Sequence, residues 1–257
     1  MNVCRQRFKG FGETHRPVAF LTCNFAGSSN GEPATLRHDE VVTLLHEFGH
    51  VLHHILTEVD YPSIGGISGV EWDAVELPSQ LMENFAWDYD ALSLLSGHVE
   101  TGEALPRGLF NRMRDARTFQ AGLHLVRQLE FALFDVRLHR NYDPARGARA
   151  LEVLAGVRAE VAVMRMPRWN RFPHSFSHIF AGGYSAGYYS YLWAELLSAD
   201  AFDRFNEAGG VCAKTGSSLR REILSRGASR TAAENFAAFR GREPEPGALL
   251  RSYGLAA

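Results

Sequence analysis

Cysteine is scarce in this sequence. Only Cys4, Cys23 and Cys212 occur among the 257 residues, and they are odd in number and widely separated. This pattern argues against a disulfide framework and favours free thiols in a reducing compartment, so we expect a cytoplasmic location.

Long apolar runs are also missing. No segment approaches the roughly 18 uninterrupted apolar residues of a membrane-spanning helix. The first residues, MNVCRQRFKGFGETHR, lack the apolar core of a secretory signal. The sequence therefore predicts a soluble protein without a membrane partner.

Neither sign of charge is in excess. The chain has 27 lysines and arginines against 29 aspartates and glutamates, a formal net charge of −2, and its basic residues are scattered. Nucleic-acid-binding proteins normally cluster basic residues in a patch, so we expect no nucleic-acid partner. With 46% apolar residues, the chain is long enough to bury a substantial core, as one large domain or two small ones.

Helical periodicity is the main pattern that the sequence does contain. Apolar residues at helical spacing predict a long helix over residues 36–57, and a second helix should begin near Pro78, since proline is tolerated in a first turn. The stretch PVAFLTCNF favours a strand over residues 17–25, before the turn-rich AGSSNGEPA. The sequence thus predicts a mainly α fold with at most a small β-sheet near the N-terminus. Further helices are predicted over residues 109–140, 145–165 and 185–205, with shorter ones at 219–224 and 232–239.

The long predicted helix carries the motif HEFGHVLHHIL, residues 46–56. His46 and His50 are four residues apart, so they share one helix face and can direct ring nitrogens at a single metal ion. In this spacing Glu47 lies beside the metal-bound water and can accept its proton. His53 is too far along the axis to reach the same ion, and we expect His53 and His54 to pack or form hydrogen bonds near the helix end.

Catalytic zinc typically takes three protein ligands and leaves a fourth position for water, so a third ligand is needed. An antiparallel second helix after the glycine-rich turn would deliver a carboxylate most simply. On spacing alone, Glu76 is favoured only modestly over Asp73 or Glu83. The downstream candidates are Glu58, Asp60, Glu71, Asp73, Glu76 and Glu83.

A second cluster of polar and aromatic residues follows far downstream. At helical spacing, Tyr184, Tyr188 and Tyr191 would share one face, whereas Tyr189 would point elsewhere. A tyrosine stripe is more often core or interface, but phenolic hydroxyls also suit the stabilisation of an oxyanion. The remaining members of the cluster are His178, Gly182 and Gly183, and the glycine pair would let the loop approach a substrate.

Three segments resemble the thimet oligopeptidase family of zinc metallopeptidases: HEFGHVLHHIL, SGVEWDAVELPSQLMEN and FPHSFSHIFAGGYSAGYYSYLWAE. The resemblance extends over nearly the whole chain, from PVAFLTCNF to FRGREP. It implies a zincin-like helical catalytic domain that binds one Zn²⁺ per chain and hydrolyses short peptides.

The resemblance also implies a role for each candidate residue. By analogy, His46, His50 and Glu76 are the zinc ligands and Glu47 is the general base. Because ligating imidazoles usually donate their other N–H to a carboxylate or carbonyl, Asp73 and Glu83 are candidates for that outer contact. On the substrate side, the resemblance implies Tyr184 and Tyr191 at the oxyanion and His178 and Tyr188 against the peptide, with no catalytic role for Tyr189.

Members of this family are much longer than this chain. The resemblance implies that residues 1–257 are the C-terminal catalytic region of an oligopeptidase whose N-terminal lobe, one wall of a deep channel, is missing. Two hypotheses follow: an active zinc oligopeptidase, or a non-catalytic remnant or partner subunit that binds peptide or an N-terminal fragment without turnover. Apolar faces that normally pack on the absent lobe would favour a complementary lobe or self-association.

Overall fold

The computed structural model describes residues 1–28 and 31–255, and this part of the chain is mainly α-helical, which confirms the predicted fold class. None of the helices in the described ranges is both long and apolar enough to cross a lipid bilayer. A 3₁₀ turn, Asn84–Trp87, follows the second helix, and a π-helical turn, Arg220–Leu224, follows the ninth. The helices in chain order are α1 His38–Ile55, α2 Leu77–Glu83, α3 Tyr89–Leu95, α4 Arg107–Arg117, α5 Ala121–Arg140, α6 Ala150–Val161, α7 Ser177–Phe180, α8 Tyr189–Glu207, α9 Ala213–Leu219, α10 Ala232–Arg240 and α11 Gly247–Ser252.

Two small antiparallel sheets precede α1. Strand β1, Asn2–Arg5, pairs with β4, Val18–Phe20, and β2, Phe8–Gly10, pairs with β3, Glu13–His15. The strand predicted over residues 17–25 therefore ends earlier, at Phe20. Part of the turn-rich connection that was predicted to follow it lies outside the described residues.

The helix α1 confirms the long helix predicted over residues 36–57. Its start is stabilised by the Glu40 carboxylate, which accepts a hydrogen bond of 2.8 Å from the backbone N–H of Arg37. Asp39 and Glu40 also place negative charge in the first turn, where it complements the helix dipole.

Other predicted helix boundaries need correction. The run over residues 109–140 is two helices, α4 and α5, because Gln120 adopts a left-handed conformation with φ of 55°, which interrupts helical hydrogen bonding. The helix predicted over 145–165 is confined to α6, and the tail contains a further helix, α11, that periodicity did not indicate.

Two hydrophobic clusters hold the described part of the chain together. The first joins α2, α8, α10 and the π-helical turn around Leu81, Phe205 and Phe236. The second joins α5, α6 and α7 around Phe134 and Ile179. Helix α1 packs on α2, and α2 packs on α8. Helix α2 therefore links the helix with the histidine motif to the helix that begins at Tyr189.

Candidate active site

The two helices that carry the candidate metal ligands touch at a glycine. A Cβ atom added at Gly49 would lie 2.5 Å from both the carbonyl oxygen of Pro78 and the Cα of Ser79, so only glycine permits this approach. The contact brings the start of α2, and with it Glu76 at the N-cap position, against the histidine face of α1.

The side chains of His46, His50 and Glu76 converge between these helices. The Glu76 Oε2 atom lies 3.1 Å from His50 Nε2 and 3.4 Å from His46 Nε2. One donor atom from each residue lies within 4.8 Å of the other two. Glu76 is buried with 7% of its surface exposed, so the structure brings together the three residues that the sequence predicted as ligands.

Outer contacts orient two members of this cluster. His46 Nδ1 donates to Glu83 Oε1 over 2.7 Å, which leaves His46 Nε2 facing Glu76. The Ser79 hydroxyl donates to Glu76 Oε2 over 2.8 Å. Of the two predicted outer carboxylates, Glu83 contacts a candidate ligand, whereas Asp73 accepts a hydrogen bond of 2.8 Å from the Tyr189 hydroxyl.

The charges in the cluster follow from these contacts. Burial alone would raise the pKa of Glu76, but the hydrogen bonds from His50 and Ser79 and the charge of His50 lower it to about 2. Burial would lower the pKa of His46, but the hydrogen bond and charge of Glu83 outweigh burial and raise it. The carboxylate of Glu76 is therefore ionised at neutral pH and available to a cation.

Glu47 lies at the edge of this cluster. Its carboxylate is partly exposed and accepts a hydrogen bond from the amino group of Met1. The three clustered donors belong to other residues, and the role of Glu47 beside a metal ion stays a prediction.

The two further histidines of the motif are buried near the end of α1, as predicted. His54 Nε2 lies 2.9 Å from the carbonyl oxygen of Arg5 and ties the helix to β1. Burial lowers the pKa of His53 to about 4, so its imidazole is neutral at pH 7.

The predicted helical stripe of tyrosines is wrong in its physical basis. Helix α8 begins only at Tyr189, and Tyr184 and Tyr188 lie in the turn before it. Nevertheless, the tyrosine rings converge through the turn, with ring centroids 4.7 Å apart for Tyr184 and Tyr191 and 5.2 Å apart for Tyr188 and Tyr191. His178 joins the same group, 5.8 Å from Tyr188 and 6.1 Å from Tyr191.

This tyrosine group reaches the candidate metal cluster. The Tyr184 hydroxyl donates to Glu76 Oε1 over 3.1 Å, and its ring packs on Trp72 with centroids 5.0 Å apart. Burial raises the pKa values of Tyr184 and Tyr191, so both phenols remain protonated hydrogen-bond donors at neutral pH.

The paired glycines before the tyrosines form the turn that leaves α7. A Cβ atom at Gly182 would lie 3.0 Å from the carbonyl oxygen of His178, and Gly183 has a φ of 84°, which glycine adopts most readily. The Tyr184 N–H then donates to that same carbonyl over 3.0 Å. The geometry of the turn therefore accounts for glycine at both positions. A contact between these glycines and substrate stays a prediction.

Comparison with known sequences finds relatives of this chain. Residues 1–255 match the profile of Peptidase family M3. The chain belongs to peptidase family M3. Its M3 relatives include oligopeptidase A of Escherichia coli strain K12, which is 56% identical over 250 residues, or 97% of this chain and 37% of the relative.

Two plant M3 proteins are also similar. The probable cytosolic oligopeptidase A of Arabidopsis thaliana is 46% identical over 245 residues, or 94% of this chain and 35% of the relative. The organellar oligopeptidase A, chloroplastic/mitochondrial, of the same plant is 46% identical over 245 residues, or 94% of this chain and 31% of the relative. The chain thus spans about a third of the length of the curated relatives it matches.

Sequence reasoning missed two contributors to this M3 site. Gly49 carried a signal, because a glycine inside a strongly periodic helix is unfavourable relative to alanine and therefore needs a packing reason. Ser79 carried none beyond its place in the second helix, since its hydrogen bond to Glu76 depends on how the chain turns before α2.

Proposed function

We propose that this chain is the catalytic region of a zinc-dependent metallo-oligopeptidase. The observation that carries the proposal is the convergence of His46 Nε2, His50 Nε2 and Glu76 Oε2, with Glu83 orienting the first histidine. Two imidazoles and one carboxylate are a donor set that catalytic zinc takes, with a further position open to water or substrate. The residues therefore fit one zinc ion per chain, held by His46, His50 and Glu76.

The protein groups around that position suit peptide hydrolysis. When bound, zinc supplies Lewis acidity, which lowers the pKa of water and polarises a carbonyl. Glu47 accepts the proton of the attacking water and delivers it to the leaving amine. Tyr184 and Tyr191 donate hydrogen bonds to the oxyanion that develops on the scissile carbonyl. The role of Tyr184 is supported by its contact with Glu76, which places its hydroxyl beside the candidate metal cluster.

The substrates proposed are short peptides. Relatives with more than half of their aligned residues identical are named oligopeptidases. In addition, the tyrosine and histidine rings beside the metal cluster provide ring edges and hydroxyl groups that a bound peptide could contact. In this proposal His178 and Tyr188 contact the peptide, and the turn at Gly182 and Gly183 borders it.

We also propose that residues 1–257 correspond to the C-terminal region of the longer architecture, whose N-terminal lobe supplies the other wall of the channel. Support comes from the coverage of the relatives and from large exposed apolar side chains. Examples are Leu94, Phe119, Met164 and Trp169, each exposed over more than half of its surface. The free cysteines and the relative named cytosolic support a cytoplasmic location.

Metal removal tests the proposed function directly. Purified protein should contain one zinc ion per chain and cleave a short quenched fluorescent peptide. Treatment with a chelator should abolish cleavage, and stoichiometric zinc should restore it, because the three ligands are already assembled.

Two other outcomes would contradict this proposal in different ways. Bound zinc without cleavage would favour a chain that binds peptide without turnover. Adding a recombinant N-terminal lobe from a relative would then show whether that lobe supports catalysis. Protein that folds but binds no zinc would contradict the metal centre itself. Size-exclusion chromatography in the same experiment would show whether the apolar surface is covered by a second copy.

Replacing Tyr184 with phenylalanine should lower kcat roughly 100- to 1,000-fold, because one oxyanion donor is lost. The aromatic ring is retained, so its packing on Trp72 should survive. Steady-state kinetics with zinc analysis on the same samples would check this, and zinc content should stay at one ion per chain.

Tyr189→Phe is the matched control for this prediction. Its hydroxyl binds Asp73, and its ring belongs to the first turn of α8 rather than to the converging group. We expect unchanged kcat, and equal losses in the two variants would contradict a specific role for Tyr184.

A further inference from the structure

A buried carboxylate on α5 holds the turn that presents the tyrosines. Asp135 has 0% of its surface exposed, and its two oxygens accept separate backbone hydrogen bonds from that turn. Oδ1 accepts from the N–H of Ala186 over 2.9 Å, and Oδ2 accepts from the N–H of Tyr188 over 2.8 Å. One side chain therefore accepts hydrogen bonds from the backbone on both sides of residue 187.

A third group completes the surroundings of this carboxylate. His139, one turn along α5, places Nδ1 2.8 Å from Asp135 Oδ1 and 2.9 Å from the Asp135 carbonyl oxygen. Burying a carboxylate is unfavourable unless donors replace its water, and here two backbone amides do so. The His139 imidazole lies beside them and forms its hydrogen bond with the Asp135 carbonyl oxygen. The two oxygens of the Asp135 carboxylate thus match the two backbone donors of the turn. If the side chain served only for packing, an apolar residue would be expected at this position.

The backbone conformation of this turn needs stabilisation by residues outside the turn. Ala186 has a φ of 55°, in the left-handed region that residues other than glycine rarely adopt. Such backbone conformations persist when the surroundings determine them, and they are frequent at functional sites. The two amides that Asp135 binds lie in the chain between Tyr184 and Tyr191. The Tyr184 hydroxyl binds Glu76, and the Tyr191 ring packs on the Tyr184 ring.

We propose that Asp135, supported by His139, is a positioning residue that sets the tyrosine turn against the metal cluster. Its catalytic consequence rests on the proposed peptidase function, whereas its effect on the conformation of the turn does not. Asp135 acts through the backbone N–H groups of residues 186 and 188, to which its two oxygens are hydrogen-bonded.

The variant Asp135→Asn tests this proposal on the full chain. Asparagine keeps the shape but presents an NH₂ group to one of the two amides, which leaves a buried donor facing a donor. Hydrogen exchange measured by mass spectrometry should become at least about tenfold faster in the segment 184–191. Exchange in α1 and zinc content should not change. In peptide cleavage, kcat should fall about tenfold or more, with KM nearly unchanged, because the donors of the transition state are misplaced.

Asp143→Asn is the matched control. Asp143 also accepts a backbone N–H, from Ala145, but it is exposed and belongs to the separate 3₁₀ turn Pro144–Arg146. Exchange and kinetics should equal those of the wild type. If the two variants behave alike, or if exchange accelerates throughout α5 and α8 rather than in the turn, the positioning role is wrong.

A second variant covers the case in which Asp135→Asn does not fold. His139→Gln removes one partner of the carboxylate and leaves both acceptor oxygens, so the same local changes should occur at smaller size. Unchanged exchange at 184–191 in that folded variant would overturn the proposal. If no form of the protein cleaves peptide, the proposed function is wrong, while the exchange comparison still decides the role of Asp135 in the turn.

Discussion

Replacing Glu47 with glutamine should lower kcat roughly 100- to 10,000-fold, the range that general acid–base catalysis contributes. Glutamine keeps the size of the side chain but cannot accept the proton of the attacking water. Glu47 is not among the three clustered donors, so zinc should stay bound at one ion per chain. Kinetics with a quenched peptide, together with metal analysis, would measure both quantities.

Glu40→Gln provides the control on the same helix. It makes the same chemical change seven residues earlier, about 10 Å along the axis of α1. There the Glu40 carboxylate accepts a hydrogen bond from the backbone N–H of Arg37. We expect kcat to equal that of the wild type. If Glu47→Gln loses its zinc, Glu47 is a ligand rather than a base, and if it retains full turnover, neither role is correct.

Replacing Glu76 with glutamine should weaken zinc binding roughly 100- to 1,000-fold, if the apparent binding free energy is shared among the ligands. The effect is large because Glu76 is ionised at neutral pH and offers a full negative charge, whereas the amide offers none. Competition with a chelator of known affinity would give the dissociation constant.

The outer carboxylates allow a graded comparison. Glu83→Gln weakens the hydrogen bond that orients His46, and we expect a loss of zinc affinity of about 10- to 100-fold. Asp73→Asn changes a carboxylate that binds Tyr189 and should leave zinc affinity unchanged. If Glu83→Gln matched Asp73→Asn, the hydrogen bond to His46 would have no role in holding the metal.

The first half of the candidate metal centre was predictable because it is local. His46 and His50 are separated by one helical turn, and the apolar periodicity of residues 36–57 already implies the helix that makes them neighbours. The candidate third ligand was not local. Spacing left Glu76, Asp73 and Glu83 open, and the family resemblance selected Glu76, which the structure brings to the two histidines.

The tyrosine group shows where periodicity misleads. The spacing of Tyr184, Tyr188 and Tyr191 fits one helix face, yet α8 begins only at Tyr189. The rings meet because a turn held by Asp135 folds back toward α2. A carboxylate more than 50 residues away supplies that hold, and helical periodicity carries no information about a contact of this kind.

The sequence by itself determined the mainly α class, the histidine helix and the residue types that a zinc peptidase requires, because these depend on short-range spacing and on composition. Tertiary structure decided which carboxylates serve those histidines, through the close approach of α1 and α2 at Gly49. It also decided how the tyrosines reach Glu76. Both outcomes depend on contacts between segments distant in the chain, and such contacts are selected by packing of the whole core rather than by local preference.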